Sequence, residues 1–170
     1  MNYHNITKDD MLNGTGLRAV LWLSGCEHHC VGCHNPETWD VNSGIPFDDA
    51  AKQELYSILS KDYMSGLTLT GGDPLHPHNL HDVFRIVSDV KRIFKDKTIW
   101  IYTGYTWEEL ISSNNIYILK ILKCCDILVD GVFDKARSNI DYHWAGSDNQ
   151  RVIDVSQSCQ KGTLILAEYV

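Results

Sequence analysis

Residues Ser24–Trp39 read SGCEHHCVGCHNPETW and follow directly on the apolar run LRAVLWL, Leu17–Leu23. That junction decides how the chain is read. The run is rich in β-formers, so it predicts a strand, and the cysteines fall on the loop after it. Cys26, Cys30 and Cys33 give the spacing C-x3-C-x2-C, which lets three thiolates share one centre. Three arrangements stay open on the residues alone. Zinc would combine the thiolates with His28, His29 or His34. An electron-transfer cluster would need Cys124, Cys125 or Cys159 as a fourth ligand. A [4Fe–4S] cluster on three cysteines would leave one iron open to a substrate or cofactor.

The same kind of junction recurs along the chain. GLTLT (66–70), TIWIYT (98–103) and DILVDG (126–131) are short apolar runs ending in glycine or polar residues, as buried parallel strands do. RVIDV (151–155) reads as a fifth strand and TLILAEYV (163–170) as a possible sixth. Helical spacing of apolar residues runs from 48 to 61 and from 79 to 94, and shorter helices are predicted near Trp107 and Ile116. Strand–helix alternation predicts an α/β fold of mostly parallel strands with right-handed crossovers. SGC, TGGD, TGY and DG then gather at the C-terminal edge of the sheet, where such folds build their sites. A closed eight-unit barrel takes roughly 250 residues. The expectation for 170 residues is therefore an open, partial (β/α) barrel forming a single domain over residues 1–170.

Composition narrows the function. The formal net charge is −7, against the basic surface that a nucleic-acid partner requires. No apolar run reaches the ~18–20 residues of a membrane span. MNYHNITKDDMLNGTG lacks the regions of a secretory signal, so a cytoplasmic location is expected, where clustered cysteines hold metals more often than they form disulfides.

The cysteine spacing, followed by TGGDP (70–74), resembles the radical S-adenosylmethionine (SAM) superfamily. Within it, NGTGLR (13–18), GCEHHCVGCHNPETW (25–39), GLTLTGGDPLHP (66–77), IWIYTGYTWEEL (99–110), ILVDGVF (127–133) and WAGSDNQRVIDV (144–155) are similar to the anaerobic ribonucleotide reductase activating proteins. The resemblance covers most of the chain. Two positions depart from the wider superfamily: Gly32 stands where an aromatic residue usually precedes the last cysteine, and Asp73 where glutamate usually follows the glycines. Both departures resemble the activator branch. Activation of pyruvate formate-lyase, or another radical SAM activity, is the alternative enzyme reading, and a zinc-stabilised binding module the non-enzymatic one.

The resemblance implies one [4Fe–4S] cluster on Cys26, Cys30 and Cys33, with SAM chelating the open iron. Reductive cleavage of SAM would give a 5′-deoxyadenosyl radical, which takes a hydrogen atom from a glycine of the anaerobic ribonucleoside-triphosphate reductase. The electron would come from an external reductant such as flavodoxin. A homodimer, or a complex with a dimeric reductase, is expected from the family alone. Gly32, Cys33, His34, Gly71, Gly72, Asp73, Thr103 and Asp130 are the expected SAM contacts, with turn chemistry after their strands the equal reading of Thr103 and Asp130. Gly71 and Gly72 would let the backbone approach the methionyl end, and Asp73 would accept a hydrogen bond from its amino group or organise the loop. A plain Gly-Gly turn is the competing reading of that motif. Asn149, Gln150 and Arg151 would line the cleft, hold the partner's glycine loop or form a turn network. Asn13 and Arg18 would support the cluster loop. A bulky residue at Gly72 is expected to weaken SAM binding and leave the cluster intact.

Overall fold

The computed structural model describes residues 1–139 and 141–168. Seven strands form one mixed sheet in the order β3-β1-β2-β4-β5-β6-β7. They are β1 (Asn2–Asp10), β2 (Arg18–Leu23), β3 (Ile45–Pro46), β4 (Gly66–Gly71), β5 (Thr98–Tyr102), β6 (Ile127–Asp130) and β7 (Arg151–Asp154). The central strands β2, β4, β5 and β6 run parallel, as expected. The flanks differ. β1 pairs antiparallel with β2 and β3, and β7 antiparallel with β6, so half of the six pairings are antiparallel.

The helices are α1 (Asp49–Leu59), α2 (Leu80–Ile93), α3 (Trp107–Ser112), α4 (Ile116–Cys124) and α5 (Val155–Lys161). Their starts are written in side chains. Asp48 caps α1 by accepting from the Ala51 N–H at 2.9 Å, Thr106 and Glu109 form a reciprocal box on α3, and Asp154 accepts from Gln157 on α5. Leu55 and Leu59 of α1, Val83, Val87 and Val90 of α2, and Ile121 of α4 pack in one core with Leu21, Leu67, Leu69, Ile99 and Ile101 of the strands. The alternate strand residues Trp100, Ile127 and Val129 form a second, smaller cluster with Tyr102, Trp144 and Val152. The sheet therefore has one face under helices and one face carrying larger and more polar side chains.

Three expectations need correction. Nothing in the sequence marked β1, because its inward residues Tyr3 and Ile6 are three apart. A register shift between Tyr3 and Asn5 brings both to the core and breaks the period-two signal. The C-terminal segment makes only an isolated bridge, Leu166 to Ile153, instead of a sixth predicted strand, and Tyr169–Val170 lie outside the described residues. Helix α5 takes the stretch after Val155 instead. Third, Arg18 does not support the cysteine loop. It starts β2, whose five residue steps of ~3.3 Å separate it from the loop at the other end. There it is fully buried, donating to Thr68 Oγ1 at 2.7 Å, Leu67 O at 2.7 Å and Thr98 O at 3.0 Å, with Trp100 against its guanidinium.

Candidate functional site

The C-terminal ends of β2, β4 and β5 open into a cavity of about 410 Å³, within the range of small-molecule sites. Cys26, Cys30 and Cys33 line it, as do His28 and His34, Gly71–Asp73, Thr103 and Gly104, and Gln150. Its walls come from the sheet face without helices: Trp22, Thr70 and Tyr102, with Leu12, Phe133, Tyr142 and Trp144 from loops. These wall residues went unnamed in the sequence reading. Their signal was present in LTLT (67–70) and IWIY (99–102), where aliphatics alternate with polar or aromatic residues.

The cysteine loop is pinned at both ends. The Gly25 N–H donates to Thr38 O at 2.7 Å and the Cys26 N–H to Trp39 O at 3.0 Å. The fully buried Asn79, just before α2, donates to Ser24 O at 2.8 Å and Asp73 O at 3.1 Å. Gly72 N–H donates to Leu23 O and Asp73 N–H to Gly25 O, both at 2.7 Å. The two motifs are thus zipped backbone to backbone. This is what the glycines are for. A Cβ on Gly71, whose φ is +99°, would fall 2.8 Å from Leu23 N, and one on Gly72 only 2.6 Å from Gly25 O. The missing side chains admit the end of β2 and, at Gly72, the start of the cysteine loop.

Asp73 organises loops, the second of the two roles expected for it. It is 1% exposed. One carboxylate accepts from Leu75 N–H at 2.8 Å, Gly104 N–H at 3.0 Å, the Thr103 hydroxyl at 2.9 Å and His28 Nε2 at 2.7 Å. Three loops from three adjacent strands meet there. The hydrogen bond to Asp73 raises the His28 pKa. His29 packs edge-on to Trp39 and His34 against Phe133, with ring centroids 4.7 and 5.0 Å apart. Gly32, at φ +76°, lies outside the cavity lining. A Cβ there would meet the Lys135 side chain at 2.6 Å.

Asp130 also departs from expectation. It is 1% exposed, lies outside the cavity lining, and accepts from Trp107 N–H at 2.7 Å and Arg151 Nε at 3.0 Å. Arg151 further pairs with Glu108 at 2.7 Å, which lowers the Glu108 pKa. Asn149 donates to Val132 O at 2.7 Å and Gln150 to Gly131 O at 2.8 Å, while Gln150 accepts from Gly146 N–H at 2.9 Å. GSDNQR is the turn network, and of its last three residues only Gln150 reaches the cavity.

The cysteines share the cavity but do not converge on a point. Among the described residues no three His, Cys, Asp or Glu side chains are close enough to hold a metal ion. Burial pushes the Cys26 thiol up to about 11. Cys125 is buried with its thiol toward Ile127 O, and Cys124, Cys125 and Cys159 are all absent from the cavity lining. Three thiols around a roomy cavity, with His28 committed to Asp73, fit a multi-atom cluster with one open corner better than a single tetrahedral ion.

A family model described as a 4Fe-4S single cluster domain matches residues 12–153. An anaerobic ribonucleoside-triphosphate reductase-activating protein of Enterobacteria phage T4 is 44% identical over 152 residues, 89% of this chain and 93% of that protein. The chain belongs to this family of activating proteins. The activating protein of Escherichia coli K12 is 39% identical over 154 residues, covering 89% and 97% of the two chains. That of Pasteurella multocida is 39% identical over 159 residues, covering 92% and 99%. In this chain the matched region runs from before β2 into β7 and includes every cavity-lining cysteine.

Proposed function

We propose that this chain is a radical SAM activase that generates a glycyl radical on an anaerobic ribonucleoside-triphosphate reductase. One observation carries the reading: Cys26, Cys30 and Cys33 share a single cavity with Gly71, Gly72 and the Asp73 loop. Cys26, Cys30 and Cys33 would hold one [4Fe–4S] cluster, and the half-buried, cavity-lining Gly71 and Gly72 would edge the SAM site. When bound, cluster and SAM supply one-electron cleavage of the sulfonium and hydrogen abstraction from the partner's glycine. The chain's own residues bind, orient and exclude water. Cys26 would give up its proton on ligating the cluster, a release that metal binding drives. Trp22, Tyr102, Phe133 and Trp144 supply apolar walls that keep solvent from a reactive species.

Helices on one sheet face and a cavity on the other support an open, partial barrel of the radical SAM type, acting as one domain. The electron comes from outside, from a flavodoxin-like donor, since the cavity offers cysteines for one cluster. Among the described residues no helix is long and apolar enough to cross a membrane, in keeping with a cytoplasmic setting. The test is anaerobic: reconstitute with iron and sulfide, reduce, add SAM, and measure 5′-deoxyadenosine and the glycyl electron paramagnetic resonance signal with and without the reductase. Reductase-dependent product with a glycyl signal is expected. A colourless protein holding one zinc would overturn the reading.

A further inference from the structure

His28 sits inside the cysteine motif, midway between Cys26 and Cys30, yet its ring is held by residues of other loops. Its Nε2 donates to Asp73 Oδ2 at 2.7 Å. Its ring packs edge-on to Tyr105 at 4.6 Å between centroids. A Cβ on Gly104 would fall 2.4 Å from a ring carbon, so the loop after β5 is shaped around this imidazole. The acceptor is no incidental surface carboxylate. Asp73 is buried, and its other donors fix the loops after β4 and β5. Backbone bonds hold the cysteine loop near Gly25 and Cys26, and Cys30 to Cys33 lies beyond them. Two side-chain contacts among the described residues cross from within the motif to the loop after β4: Glu27 to His76 at 3.3 Å, with Glu27 largely exposed, and the shorter, more buried bond of His28 to Asp73.

We propose that His28 is a positioning residue for the cluster–SAM site, latching the cysteine loop onto Asp73 so that the three thiols and the Gly71–Gly72 edge keep one relative geometry. This rests on the activase reading above. The latch need not touch cluster or SAM. It acts through Asp73, by removing a rotation of the cysteine loop that SAM would otherwise have to freeze on binding, and pre-organisation of this kind appears as affinity.

The test compares wild type, His28→Ala and His28→Gln, each reconstituted anaerobically. Gln keeps a donor near the Nε2 position and loses the ring. Three quantities are read: iron and sulfide per chain, the SAM dissociation constant, and the change SAM makes in the spectrum of the reduced cluster. His28→Ala should weaken SAM binding on the order of tenfold, the scale of one lost charge-assisted hydrogen bond, and blunt the spectral change. His28→Gln should recover most of both. The latch is overturned if alanine binds SAM within about twofold of wild type, or if glutamine fails as fully as alanine does. The second comparison decides even if the alanine variant folds poorly. A wild-type protein that takes a cluster but binds no SAM sinks the activase reading itself, whatever the variants do.

Discussion

Gly72→Ala separates two explanations of the TGGD motif. A methyl group there would sit 2.6 Å from Gly25 O and 3.0 Å from Leu23 O. Both are backbone atoms, so neither can swing aside. Reaching the 3.4 Å of ordinary contact means parting the β4 loop from the cysteine loop by up to about 0.8 Å. The hydrogen bonds across that seam, Gly72 N–H to Leu23 O and Asp73 N–H to Gly25 O, start at 2.7 Å and would stretch to the edge of bonding. Losing most of two such bonds costs about 1–2 kcal/mol, and overpacking adds about 1–3. The expected loss is about 3 kcal/mol, or roughly 6–12 °C in melting temperature for a chain of this size. Circular dichroism melts of the metal-free protein measure it. Iron retained per chain should fall as well, because the displaced loop carries Cys26. An unchanged melting temperature with full iron and only SAM affinity lost would refute the argument and leave ligand contact as the role of Gly72.

Three further outcomes are expected. Arg151→Ala strips the buried Asp130 carboxylate of its cation and should cost about 2 kcal/mol in urea unfolding, less than a fully buried pair because Arg151 is one-third exposed, with SAM affinity unchanged; a stable variant that loses SAM or the reductase would instead place Arg151 in the cleft. Cys124→Ser and Cys159→Ser should retain wild-type iron and sulfide, whereas alanine at Cys26, Cys30 or Cys33 should abolish SAM cleavage; a need for either outlying cysteine would break the three-ligand assignment. Lys52, Arg92 and Tyr56 hold the Asp89 carboxyl well below its usual value of 3.8, so it stabilises the fold above that value and the contribution fades as the pH falls further. Asp89→Asn should therefore be less stable than wild type at neutral pH, with the gap narrowing below about pH 4; urea titrations showing the same gap at both ends would exclude the linkage.

Chemistry-bearing residues were the most legible part of the chain. Three cysteines at fixed spacing and a glycine pair after a strand are local words, and the structure brings both to one cavity. The parallel centre of the sheet was equally readable, because β2, β4, β5 and β6 are short apolar runs. What failed was non-local. Asp130 looked like a cavity residue because it ends a strand, but its partner Arg151 lies 21 residues on, and nothing nearby announces the pair. The glycines were read toward a ligand, though the backbone packed against them is the end of β2 and, at Gly72, the start of the loop after it. Strand β1 hid behind its register shift. The cavity walls were missed because runs such as IWIY were taken as buried alike on both faces, when only alternate residues meet the helices.

The reach of Asp73 bears on how the protein is made. His28 precedes it by 45 residues and Thr103 follows it by 30. During synthesis the cysteine motif emerges early, and its anchors on β4 and β5 arrive only after dozens more residues have been added. Until then residues 26–33 are an unsupported segment bearing three thiols. Strands β2, β4 and β5 must come together in register before the carboxylate, the imidazole and the threonine hydroxyl can meet. Connectivity therefore sets one limit: the junction at Asp73 closes only once β2, β4 and β5 are all present.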